Sequence, residues 1–185
     1  MKITAQPLIA TAFAPFGDVL DCSGTPDKMI NAGLCGRYHD RATLDFGDGR
    51  AGLSFFDARP RSLPYTCDLL ERHPEGSQAF LPLHENPFLV IVATDENGTP
   101  GSPLAFVTNG EQGINLYRGT WHGVLTPLAA PGRFAVLDRI GDGPNLQEHP
   151  LDQPVTVLAL GADRHRRIVK PFARAVQQDP AGRHP

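Results

Sequence analysis

Short alternations of apolar and polar residues recur along most of the chain, each run ended by Gly, Pro, Asn or Asp. A period of two is the mark of half-buried strands, because successive side chains point to opposite faces. The pattern predicts strands at 18–22, 53–57, 66–72, 78–83, 88–94, 104–108, 114–117, 122–125 and 133–138. Residues 7–14 read as a short helix stopped by Pro15 and Gly17. Residues 23–50 read as loop, with one extended piece around Arg37-Tyr38-His39-Asp40, and Asn97-Gly98 marks a hairpin turn within 95–101. The apolar run 155–160 is a further strand, one that closes a barrel or reaches a neighbouring chain. About ten short strands with regular turns predict a mainly all-β sandwich or barrel, and strand counting alone does not choose between them.

Composition adds a frame. At 185 residues and 20.0 kDa, with 19 Gly and 18 Pro spread along the chain, one turn-rich domain is expected. No apolar run is long enough to cross a bilayer, and the N-terminus lacks the apolar core of a secretory signal. Cys22, Cys35 and Cys67 show no C-x-x-C spacing and read as reduced thiols of a cytoplasmic protein. The net charge of −3 hides an uneven spread, because 164–185 holds six Lys or Arg and one Asp. We read residues 1–163 as the single domain and 164–185 as a basic tail. The tail lacks stacking aromatics beyond Phe172 and any regular repeat, so a solvated arm or a strap across a partner subunit is expected, not nucleic-acid or membrane binding.

The chemistry concentrates in Glu71-Arg72-His73-Pro74-Glu75-Gly76-Ser77-Gln78, answered by Gly119-Thr120-Trp121-His122. Residues 71 and 73 share a strand face. The spacing is that by which cupin barrels gather ligands at the barrel mouth, H-x-H-x4-E … H, written here as E-x-H-x4-Q … H. It favours a cupin-like double-stranded β-helix. Two imidazoles, a carboxylate and an amide oxygen, from His73, His122, Glu71 and Gln78, suit a divalent first-row metal with positions left open. The competing reading makes both histidines ordinary barrel-mouth residues with satisfied hydrogen bonds. Two further clusters stand out. Asn109 and Gln112 belong to a turn able to aim N–H groups at a ligand oxygen. Arg37 can clamp a carboxylate while His39 moves a proton. Each is also readable as a plain turn or strand edge. Arg72 and Arg118 should point away from the ligand face, and Tyr117 and Trp121 either wall a pocket or fill core. No P-loop, dinucleotide fingerprint or nucleophile elbow is present.

Phe13-Ala14-Pro15-Phe16-Gly17-Asp18-Val19-Leu20, Arg37-Tyr38-His39-Asp40, the block Glu71 to Leu83, Asn109-Gly110-Glu111-Gln112-Gly113-Ile114-Asn115 and Arg118-Gly119-Thr120-Trp121-His122 resemble the ureidoglycolate lyase family. The likeness runs from about residue 3 to about residue 148. It implies a cupin-like barrel, a homodimer, a cytosolic place in purine (allantoin) catabolism and a divalent metal, with Ni, Mn, Co or Zn as candidates. Under that resemblance, His73, His122 and Gln78, with or without Glu71, hold the metal. Glu71 otherwise serves as base, Tyr117, His39 or His84 delivers a proton, and Asn109 and Gln112 hold the ureido carbonyl. Arg37 and His84 complete the substrate contacts. Leu116-Tyr117, Gly123-Val124 and His84 depart from the family pattern at the pocket rim. A paralogous lyase with a related substrate and a non-catalytic cupin binding a small hydroxy or ureido acid are therefore the alternatives.

Overall fold

The computed structural model describes residues 1–161, so the basic tail lies outside the described residues. Nearly all of the regular structure among the described residues is strand, and the one α-helix there is the short Ala10–Phe13. Five strands form one sheet in the order Gly17–Leu20, Gly113–Leu116, Gln78–Pro82, Arg133–Ile140, Arg50–Asp57. The larger sheet runs from Gln147–Leu158 through Tyr65–Arg72, Trp121–His122 and Phe88–Ala93 to Leu104–Val107.

The N-terminal segment lies at both ends of that larger sheet. Lys2–Thr4 pairs in parallel with Gln147–Leu158, while Gln6–Pro7 pairs in parallel with Leu104–Val107. One short segment therefore bridges the two edges and curls the sheet on itself, removing strand edges that would otherwise stand unpaired. This pairing also explains why the expected helix over 7–14 is reduced to one turn: residues 6 and 7 are drawn into the sheet. The expected final strand is present and longer than read, and it does close the ring.

Two cores follow from the alternation of Phe88–Ala93, every residue of which is buried. Phe88, Val90 and Val92 face the five-stranded sheet and pack with Phe80, Ile114, Leu116, Phe134 and Val136. Leu89, Ile91 and Ala93 face the space enclosed by the curled sheet, with Ala5, Cys67, Leu70, Trp121, Val155 and Val157. Burying each large side chain contributes about 1.5–3 kcal/mol, so both faces of this strand are committed to packing. The result is a nearly closed, cupin-like β barrel. The Asn97-Gly98 turn appears as expected, with both residues at positive φ (56° and 91°), as a tight antiparallel hairpin requires.

Candidate metal centre

Register brings the ligands together. His122 pairs with Val92 on one side and with Glu71 on the other, so all three side chains share the face that looks toward the five-stranded sheet. On the opposing sheet, Gln78 pairs with Leu116 and points to the same interior as Phe80 and Ile114. Phe80, Phe88, Ile114, Leu116 and Leu125 line the space beside His122. Among the described residues, Glu71, His73 and His122 each offer one ligand atom, all within 4.8 Å of one another. The two imidazole centroids are 5.4 Å apart.

The hydrogen bonds decide which nitrogens are free. His73 Nδ1 lies 2.6 Å from the Asn145 carbonyl oxygen and His122 Nδ1 lies 3.1 Å from that of Gly123. A carbonyl only accepts, so each Nδ1 carries the hydrogen and each Nε2 keeps its lone pair. Among the described residues both Nε2 atoms are buried without a partner, as is Gln78 Oε1. Desolvated acceptors with no donor are costly unless something electron-poor stands beside them. A divalent cation fits that donor set, and backbone carbonyls orienting the imidazoles are the outer shell such sites use.

Electrostatics agree. Burial, and then the nearby His73, push His122 down to about 4, so it is a neutral imidazole at ordinary pH. Burial also raises the Glu71 carboxyl; His73 opposes this and Glu148, its cross-strand partner, adds to it. Glu71 Oε1 approaches the Nδ1 edge of His122, at 3.9 Å, and not its free Nε2.

The supports are bonded throughout. Trp121, on the reverse face, donates Nε1–H to Asp95 at 2.8 Å and lies under the Arg72 guanidinium, 4.4 Å away. Arg72 also pairs with Asp95 at 2.6 Å and with Gln147 at 2.7 Å, so it braces the strand from outside, as alternation implied. Arg118 holds the 73–78 turn through the Pro74 carbonyl and Glu75, and Asn145 Oδ1 accepts the Glu75 N–H at 2.8 Å. Ser77 N–H donates to the Asp45 carbonyl and its Oγ accepts the Asp45 N–H, fixing the chain one residue before Gln78.

Other expected site residues lie elsewhere. Asn109 and Gln112 precede Gly113–Leu116, whose far end meets Gln78, so Gln112 is about 13 Å along the strand from that level. Gln112 Oε1 accepts the Asn109 N–H, and its amide donates to the Leu8 carbonyl and Asp21. The turn is packed so closely that a Cβ on Gly110, at φ +96°, would strike the Glu85 carbonyl. His84 lies at this same end, beyond Pro82, with its ring edge-on to Phe134 at 4.9 Å. The Tyr117 hydroxyl donates to Asp18 at 2.7 Å, and this bond raises its pKa. Within the expected loop 23–50, Lys28–Ile30 and Cys35–Arg37 pair as an exposed hairpin; at its end Arg37 and His39 bond one another at 2.8 Å, and the described residues leave that pair outside the cluster of Glu71, His73 and His122.

Two residues escaped the sequence reading. Asp138 shares the inward phase of Phe134 and Val136 on Arg133–Ile140, and its Oδ2 lies 3.5 Å from Gln78 Nε2. An acid in the third inward position of a core strand was the available signal. Asn145, in a loop, carried none.

A nearly closed β barrel whose mouth gathers two imidazoles and a half-buried carboxylate belongs to the cupin class, with a candidate metal centre. The chain is a member of the ureidoglycolate lyase family, whose model matches residues 1–158. It is 60% identical over 157 residues to a ureidoglycolate lyase of Rhodobacter capsulatus, covering 84% of this chain and 98% of that protein. It is 47% identical to "Ureidoglycolate lyase 2" of Rhizobium meliloti over 159 residues, 85% of this chain and 98% of the other. It is likewise 47% identical to a ureidoglycolate lyase of Chelativorans over 158 residues, 84% and 96%.

Proposed function

We propose that this protein eliminates urea from ureidoglycolate to give glyoxylate, a carbon–nitrogen lyase of allantoin degradation, and that it uses a divalent metal to do so. Family membership across 1–158 supports the reaction. The observation that carries the metal requirement is the pair of buried Nε2 atoms on His73 and His122, which have no partner among the described residues.

The substrate carbon bears a carboxylate, a hydroxyl and a ureido nitrogen. Elimination removes the hydroxyl proton, forms the carbonyl, breaks the carbon–nitrogen bond and returns a proton to the departing nitrogen. His73 Nε2, His122 Nε2 and Gln78 Oε1 would hold Ni, Mn, Co or Zn, which supplies Lewis acidity and a template for the carboxylate and hydroxyl. Glu71 is left to carry the proton. Its carboxylate stands on the Nδ1 side of His122, and its burial raises its affinity for a proton toward that needed of a base working near neutral pH. Glu71 takes the hydroxyl proton and returns it to the nitrogen. Tyr117 is bonded to Asp18 and His39 to Arg37, so neither is needed for that step in this scheme. The neutral His122 keeps its lone pair for binding, and the apolar wall of Phe80, Ile114 and Leu116 limits water around the reacting carbon.

We also place the enzyme in the cytoplasm, where Cys22, Cys35 and Cys67 would remain the free thiols seen here. It is read as a homodimer. Support comes from the outer face of the five-stranded sheet, where Leu53, Phe55, Leu81 and Leu83 are all exposed, Phe55 by 73%. Among the described residues Arg50–Asp57 is an edge strand. Antiparallel pairing with a second copy about its midpoint would set Arg50 opposite Asp57 of that copy, a complementary charge pair.

The reaction is tested by incubating the protein with ureidoglycolate and measuring glyoxylate and urea, before and after chelation and with each metal restored. Equal glyoxylate and urea, lost on chelation and regained with metal, are expected. Ammonia and carbon dioxide in place of urea would mean hydrolysis, and ligand-dependent thermal stabilisation without product would mean a binding protein.

A further inference from the structure

An amide oxygen is a weak metal ligand beside the carboxylate that the cupin spacing leads one to expect at position 78. The structure supplies a carboxylate from elsewhere. Asp138 projects inward from Arg133–Ile140 next to Gln78, and Asp138 Oδ2 is the hydrogen-bond acceptor of Gln78 Nε2 at 3.5 Å, the long end of such contacts. Turning the amide over would set its oxygen against that carboxylate, acceptor facing acceptor. The NH2 group therefore belongs toward Asp138 and Oε1 toward the cavity. Both Gln78 Oε1 and Asp138 Oδ1 are buried without partners among the described residues.

We infer that Asp138 is a positioning residue for the metal centre: it holds the Gln78 amide so that Oε1 is presented as a ligand, and it supplies next to the cation the negative charge that position 78 lacks. The inference rests on the metal reading above. A hydrogen-bonded carboxylate polarises the amide, increasing the negative charge on its oxygen. It also restrains a long, flexible side chain that would otherwise lose rotamer freedom on binding. Gln78 and Asp138 thus divide between them what one acidic ligand does alone, orientation and charge.

The test measures metal affinity directly, by competition with a chromogenic chelator, with kcat/KM as a second readout and thermal unfolding to confirm folding. Partners of this kind are worth about 10–100-fold in metal affinity. Asp138→Asn keeps an acceptor and removes the charge, and should weaken binding about tenfold. Asp138→Ala removes both and should approach a hundredfold, within the same range. The double variant Gln78→Glu with Asp138→Asn returns the charge to the ligand itself and should recover most of the native affinity. A purely structural Asp138 would lower thermal stability, leave affinity unchanged and show no recovery in the double variant. Native affinity in both Asp138 variants, with binding abolished in His122→Ala, would overturn this role and leave the metal centre standing. Native affinity in His122→Ala would remove the metal centre itself.

Discussion

The two ends of the barrel interior are built from similar polar residues and use them differently. At the end occupied by Asn109 and Gln112, side-chain groups are spent on nearby backbone: Gln112 bonds the Asn109 N–H and the Leu8 carbonyl, Asn109 Oδ1 accepts the Glu111 N–H, and Thr108 Oγ1 accepts the Phe88 N–H. At the end occupied by His73, His122 and Gln78, only one side of each group is used and the other is left free and dry. Backbone groups at turns must be satisfied, and side chains that satisfy them are structural devices. Asn115 Oδ1 and His84 Nε2 also lack partners among the described residues, so what marks the site is that the free imidazoles of His73 and His122 cluster with a carboxylate.

That contrast can be broken most sharply at His122. Its replacement by Ala should lower both metal affinity and the yield of glyoxylate and urea by more than about a hundredfold, beyond the range of an outer-shell loss, with the fold retained. Activity near the native level would show that the free imidazoles are not the site. The pH dependence of the metal-free protein is the next largest effect. His122 titrates near 4 when folded and near 6.5 when unfolded. Between those values the unfolded chain binds more protons, so stability is full above about 6.5 and is lost as pH falls toward 4. The total is about 3 kcal/mol at 1.36 kcal/mol per pH unit. The raised Glu71 carboxyl acts in the opposite sense: its contribution is present at low pH and fades as pH rises through its folded value. Denaturant midpoints measured across pH 4–7 for native and His122→Ala protein check this, since the acid-side loss should shrink in the variant.

At the other end, Gln112→Ala should cost about 1–2 kcal/mol of stability by stranding the Asn109 N–H, while kcat/KM stays within a few-fold of native. A raised KM for ureidoglycolate with unchanged stability would instead give Gln112 the substrate contact that the sequence suggested. On the outside of the barrel, Phe55→Asp should move the protein from dimer to monomer in sedimentation and leave the free imidazoles untouched. A native protein that sediments as a monomer would end the reading of that face as an interface.

Much of the architecture was legible because strand alternation is a local property. Nearly every core strand lies where the apolar alternation put it, and the inward phase of Phe88, Val90 and Val92 is readable from spacing alone. The segment Lys2–Pro7 was not, since three-residue strands carry too little pattern and its place is set by partners about a hundred or more residues away. The predicted strand at 122–125 is divided into Trp121–His122 and Thr126–Pro127, because only those residues find partners in register along Phe88–Ala93.

By itself the chain determined its β character, the shared face of Glu71 and His73, and a likeness specific enough to place its family. Only the tertiary structure decided which polar residues meet. Asn145 reaches His73 across 72 positions and Asp138 reaches Gln78 across 60, while Asn109 and Gln112 are carried to the far end of their strand. The reason is physical: side-chain phase follows from the backbone's two-residue repeat, whereas convergence depends on sheet register, which is set by the packing of the whole core.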